Sequence, residues 1–72
     1  MDARMVEATT RLLLLEIRQR LNEAASIAKA AEACTEAGNA EKGVQIALDI
    51  EQITYEANAL FNAASLINLL KI

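Results

Sequence analysis

The chain has 72 residues, of which ten are acidic and seven basic, so its formal net charge is -3. It is 54% hydrophobic but only 3% aromatic, with two glycines and no proline, a mixture that favours helices over strands. This length allows a single domain with a small core. The acidic balance argues against nucleic-acid binding through bulk charge.

The first predicted element is a helix from about residue 3 to residue 37, for which Asp2 is a plausible cap. Its main apolar stripe, at helical spacing, comprises Val6, Thr10, Leu13, Leu14, Ile17, Leu21, Ala24, Ala28, Ala31 and Cys34. A second apolar stripe lies on the far side and comprises Met5, Ala8, Leu12, Leu15, Ala30, Ala33 and Ala37. A helix that packs only against one neighbour needs a single stripe, so the second one requires a further explanation.

The next element is a turn at about residues 38–40, within the segment that holds both glycines of the chain. Gly38 can take the left-handed conformation that ends a helix, and Asn39 can cap the helix that follows. Glu41 then falls in the first turn of that helix, where the helix dipole favours a negative charge.

The second helix is predicted from about residue 40 to residue 70. Its main stripe has the alternating spacing of a coiled coil and comprises Ile46, Ile50, Ile53, Ala57, Leu60, Ala64 and Ile67. A second stripe again accompanies it and comprises Val44, Leu48, Tyr55, Ala59, Leu66 and Leu69.

Folding the main stripes against each other gives an all-α antiparallel two-helix hairpin with long helices. Facing residues in such a hairpin have numbers with a constant sum, and a sum of 81 pairs large side chains mostly with small ones. This register centres the turn between Ala40 and Glu41. Phe61 is expected to fill the thin layer where Ala24 meets Ala57.

The second stripes predict self-association, because they leave a larger apolar patch than a soluble monomer usually tolerates. A lone pair of helices also buries too little surface to offset its conformational entropy. Two hairpins that dimerise into a four-helix bundle would solve both problems. The residues predicted to form the interface with a second copy or another protein partner are Met5, Leu12, Leu15, Leu48, Tyr55, Leu66 and Leu69.

No catalytic, cofactor-binding or metal site is predicted. The chain has no histidine and no Gly-rich loop, and its one cysteine, Cys34, lies on the main stripe near the turn. No nucleophile–base pair or metal-ligand set can be assembled from such residues. The sequence therefore predicts a non-enzymatic protein without a cofactor.

The same composition bears on location. A single cysteine cannot make an internal disulfide, which favours a reducing compartment. The uncharged run from Ala57 to Leu70 is shorter than the roughly 20 residues of a membrane span, and Asp2, Arg4 and Glu7 do not fit a signal peptide. We expect a cytoplasmic protein with no membrane partner.

One edge of the first helix carries a row of bases, Arg4, Arg11, Arg18 and Lys29, at spacings that keep them aligned. Such a ridge could contact phosphates. Glu7, Glu32 and Glu36 lie on or beside the same edge, however, and no aromatic residue accompanies the bases. A charged rim beside the second stripe is therefore favoured over a nucleic-acid site.

The segment Gly38-Asn39-Ala40-Glu41-Lys42-Gly43-Val44 resembles the inter-helix turn of a tetratricopeptide repeat, a likeness of turn chemistry that implies no function. By architecture the chain is similar to plasmid-encoded Rop proteins, whose hairpins dimerise into an RNA-binding four-helix bundle. It is also similar to the small co-chaperones of type III secretion needle subunits, which dock on another protein. The sequence thus favours a structural or adaptor module that homodimerises. The alternatives are a chaperone-type subunit completed by a different protein, and a Rop-like RNA-binding dimer.

Overall fold

The computed structural model describes residues 2–70 and contains two helices, α1 (Ala3–Glu36) and α2 (Ala40–Leu69). They lie side by side and antiparallel, and the Cα trace measures 55 × 14 × 10 Å. The predicted all-α class and the two-helix hairpin are confirmed.

Both helices begin at a side-chain cap. Asp2 Oδ1 accepts a hydrogen bond from the backbone N–H of Arg4 at 2.9 Å, and Asn39 Oδ1 accepts one from Lys42 at 3.0 Å. Each bond satisfies a backbone donor that the first turn of a helix leaves without a partner. Glu41 lies in the first turn of α2, where its negative charge is favoured. These local predictions are correct.

The turn is a Schellman motif closed by backbone hydrogen bonds. The N–H of Asn39 donates to the carbonyl oxygen of Cys34 at 2.9 Å, and that of Gly38 donates to Thr35 at 3.0 Å. Gly38 has a φ of 93°, which a residue with a Cβ adopts only with strain. The reversal is therefore encoded in the last turn of α1 and the two residues Gly38 and Asn39.

The faces that contact each other repeat every seven residues. In heptad notation, with Ile17 and Ala57 at position a, Thr9, Glu16, Glu56 and Ala63 at position g and Ala47 at position e are half-buried. All other buried and half-buried residues fall at positions a and d. In α2 they are Gly43 and the whole predicted main stripe: Ile46, Ile50, Ile53, Ala57, Leu60, Ala64 and Ile67. In α1 they are Ala3, Val6, Thr10, Leu13, Ile17, Arg20, Ala24, Ile27, Ala31 and Cys34.

The prediction for α1 was wrong in part, because Leu14, Leu21 and Ala28 are exposed. The helix is rotated by one heptad position from the predicted frame. Arg20 and Ile27 consequently take core positions. The other seven residues of the predicted stripe are buried or half-buried and belong to both frames, so periodicity alone could not separate the two: Val6, Thr10, Leu13, Ile17, Ala24, Ala31 and Cys34.

The predicted register was also wrong near the turn. A Cβ on Gly43 would lie 2.6 Å from Thr35 Oγ1 and 2.7 Å from the carbonyl oxygen of Ala31. Those two pairs have residue numbers that sum to 78 and 74, whereas the prediction was 81. The turn is centred on Gly38, between Glu36 and Ala40, because the tight Schellman motif needs fewer residues than the predicted reversal.

The core is narrow and made largely of small side chains. The buried apolar residues are Val6, Ala24, Ala31, Ile53, Ala57 and Ala64. Small residues at the contact allow two helix axes to approach closely, and Gly43 extends this close approach to the turn. The close packing leaves the larger leucines outside.

Candidate interaction surface

The seven residues predicted as the interface, here called the outer residues, are all exposed. They are Met5, Leu12, Leu15, Leu48, Tyr55, Leu66 and Leu69, with exposed fractions from 37% for Leu15 to 80% for Leu69. Isolated apolar residues are ordinary on protein surfaces. Seven large exposed ones on a 72-residue chain make apolar character a feature of the whole surface.

The hairpin does not bring the outer residues together on one surface. Leu15 in α1 and Leu48, Tyr55 and Leu69 in α2 occupy heptad position f, about 180° from the middle of the core face. Since the two core faces point towards each other, the two f faces point in opposite directions. One flat partner cannot cover both Leu15 on the f face of α1 and the residues on the f face of α2.

A different set of apolar residues does share one side of the hairpin. We name it the leucine edge: Leu14, Leu21 and Ala28 of α1, with Ala47 and Phe61 of α2, all at heptad position e. Position e of one helix lies beside position e of the other in an antiparallel pair. Because the turn is centred on Gly38, Phe61 lies level with Leu14, and Leu21 follows about 10 Å along the helix. The three large side chains form one patch.

The sequence predicted that Phe61 fills the layer between Ala24 and Ala57, but in the structure it does not. Its side chain is 57% exposed, because Leu60 occupies the core position next to it. Leu14 and Leu21 are 53% and 49% exposed. Sequence reasoning missed this edge as a surface because the predicted frame of α1 had placed both leucines in the core.

A concavity of about 430 Å³ extends the leucine edge towards the open end of the hairpin. It is lined by Val6, Glu7, Thr10, Arg11, Leu14 and Asn68. Glu7, Leu14 and Asn68 all stand at position e, so the concavity shows directly that the e positions of the two helices lie on the same side. Thr10 Oγ1 is buried there and has no hydrogen-bond partner among the described residues.

The opposite edge, at heptad position g, is acidic. It carries Glu16 and Glu23 on α1 and Asp49 and Glu56 on α2, with Lys42 as the only base at this position in residues 2–70. The guanidinium of Arg20 lies 3.0 Å from the carboxylate of Glu16, and its Nε is buried and has no hydrogen-bond partner within the described part of the chain. We call this the acidic edge. Its charge distinguishes it sharply from the leucine edge.

The predicted basic ridge is exposed, and the structure divides it. Arg4, Arg11 and Arg18 all occupy position b, beside the leucine edge, whereas Lys29 lies one position further round the helix, at f. The three arginines thus form a row along one side of the apolar patch. RNA binding through this row remains the alternative hypothesis.

Cys34 is a half-buried free thiol at the last core position of α1. Among residues 2–70, no three His, Cys, Asp or Glu side chains are grouped so that they could hold a metal ion. Neither helix, over the same part of the chain, combines the length and apolar character that a membrane crossing requires.

The fold and surface define a two-helix hairpin with an exposed apolar edge. Comparison of the chain with protein-family models, curated proteins and solved structures found no match. Its function is therefore argued from its own residues.

Proposed function

We propose that the protein is a non-enzymatic association module, a hairpin that homodimerises and acts as a structural or adaptor protein. The observation that carries the proposal is the amount of surface the hairpin leaves in water. Its accessible surface is 5417 Å², whereas a compact monomer of 7.8 kDa exposes about 4,400 Å².

The excess of about 1,000 Å² is close to the ~800 Å² that each partner buries in a standard protein–protein interface. The exposed surface includes large apolar side chains, among them the outer residues and those of the leucine edge. Removing that surface from water supplies the free energy that a lone pair of helices lacks. Association therefore completes the core.

The test is the solution mass of the purified chain by light scattering, combined with circular dichroism during heating. A helical species of about twice 7.8 kDa that melts cooperatively is the expected result. A stable, cooperatively melting monomer would contradict the proposal. A chain that aggregates or melts without cooperativity would instead favour the chaperone-type subunit, whose apolar surface a different protein completes.

A further inference from the structure

We infer that the surface by which this hairpin binds a second copy of itself is the leucine edge. The inference rests on the proposed homodimerisation and says which face carries it. It differs from the interface predicted from the sequence, which placed the contact at the outer residues.

The first argument is the charge of the two edges. Among the ten described helical residues at position e, only Glu7 is charged, whereas position g carries Glu16, Glu23, Asp49 and Glu56. Two copies packed through the acidic edge would bring like charges together and remove them from water, which costs free energy. Packing through the leucine edge brings together leucine, phenylalanine, alanine and threonine.

The second argument is the geometry of a four-helix bundle. A helix in such a bundle needs an apolar face wider than positions a and d, and the additional residues stand at e or g. Leu14, Leu21 and Phe61 supply that width on the same side of both helices. Four of the outer residues, at position f, point away from the hairpin mate, so they cannot extend the existing core into a second layer. The other three, Met5, Leu12 and Leu66, stand at position c, beside the acidic edge.

The third argument is that the edge can fit itself. Leu14 and Phe61 lie at the same height along the long axis of the hairpin. Leu21 and Thr54 lie together at a second height, one heptad nearer the turn. A two-fold axis between these heights places Leu14 of one copy against Leu21 of the other, and Phe61 against Thr54. Such a reciprocal contact, with the turns at opposite ends, is isologous, as a closed dimer requires. Exposed arginines at position b remain on its rim.

The test uses tryptophan as a local probe, since the chain contains none. Phe61→Trp places the probe on the leucine edge, and Tyr55→Trp places it among the outer residues as a matched control. Both residues are aromatic and more than half exposed, so neither substitution empties the core. Fluorescence and acrylamide quenching are measured while the chain is diluted through its dissociation range, with the mass followed in parallel.

We expect the emission of the Phe61→Trp variant to shift to shorter wavelength and its quenching to fall several-fold as the dimer forms. The Tyr55→Trp variant should keep exposed emission at every concentration. A dimer in which only the Tyr55→Trp probe is protected would overturn the leucine edge while leaving homodimerisation intact. A chain that is monomeric at all concentrations would overturn both.

A second pair of variants checks the energetics. Leu14→Lys with Leu21→Lys should raise the dimer dissociation constant by at least about 100-fold, because each copy would bring two charges into the interface. Leu12→Lys with Leu48→Lys adds the same charge on the outer faces and should change the constant less than about threefold. Equal effects of the two pairs would contradict the inference, and circular dichroism at high concentration verifies that each variant is helical.

Discussion

The two glycines of the hairpin are needed for opposite reasons. Gly38 has open space around it but a φ of 93°, so the backbone conformation excludes a Cβ. Gly43 is helical, yet a Cβ there would meet the carbonyl oxygen of Ala31 at 2.7 Å. The sequence predicted the role of Gly38 from the chemistry of the turn alone. It could not show the role of Gly43, because that role depends on a neighbouring helix.

Replacing Gly43 with alanine tests this close approach. Alanine gains about 1 kcal/mol of helix propensity over glycine, but overpacking against a backbone carbonyl costs about 1–3 kcal/mol. We expect a net loss of about 1 kcal/mol in the free energy of unfolding, measured by urea denaturation. A gain in stability would show that the helices are further apart than the structure has them.

A double variant separates the two glycines. Thr35→Ala removes the Oγ1 that lies 2.6 Å from the Cβ position of Gly43, so it should recover part of the loss in Gly43→Ala. The Ala31 carbonyl stays in place, and recovery should remain incomplete. Thr35→Ala should recover nothing in Gly38→Ala, whose cost of about 1 kcal/mol arises from the backbone conformation.

At the scale of the element, α1 is the helix whose orientation the sequence left ambiguous. Leucines occupy four successive positions, 12–15, so each of several faces looks apolar. The predicted orientation of α1, with Leu14 and Leu21 in the core, kept Arg20 out of the core. In the structure Arg20 takes that place, 32% of its side chain is exposed, and its guanidinium reaches Glu16. A long side chain can lie along the core and keep its charge in water.

Arg20→Leu should therefore stabilise the hairpin. The change removes an Nε that is buried and has no hydrogen-bond partner among the described residues, and it continues the apolar core. It also removes a helical ion pair, which is worth a few tenths of a kcal/mol. We expect a gain of about 1 kcal/mol, seen as a rise of about 4–8 °C in the melting temperature. Lys29→Leu, at an exposed position on the outer face, is the control and should change the melting temperature little.

The orientation of α2 was predictable for a physical reason. Its isoleucines at 46, 50, 53 and 67 lie on one face, and no charged residue interrupts that face between residues 43 and 67. The predicted stripe is the observed one. Phe61 was misplaced because it neighbours Leu60 in the sequence, and only the rotation of the helix decides which of the two side chains enters the core. One heptad position separates a core residue from an edge residue.

At the scale of the whole molecule, the hairpin is a thin rod with little interior. Its Cα extents across the long axis are 14 and 10 Å, so every residue is within one side chain of the surface. This shape follows from two long helices of nearly equal length, which the sequence predicted. What the sequence could not predict is how the exposed apolar residues divide between the outer faces and one edge, because that division depends on the frame of α1.

The melting temperature should depend on the chain concentration. If folding is completed by a second copy, mass action stabilises the folded state as the concentration rises. We expect the melting temperature to increase by several degrees between about 5 and 500 μM chain, and the Leu14→Lys, Leu21→Lys variant to lose most of this dependence. A melting temperature that is constant across the range would mean that the monomer is stable alone.

The position of the Schellman turn also has a kinetic consequence. Residues beside it, such as Ala31 and Gly43, are close in the sequence, whereas Leu14 and Phe61 are separated by 46 intervening residues. Loop-closure entropy therefore favours a folding order in which the helices zip together from the turn, and the far end pairs last and opens first. Leu14 and Phe61 of the leucine edge lie in that late-forming half. A second copy bound there would stabilise the part of the hairpin that the turn constrains least. It would therefore slow the opening of that part most.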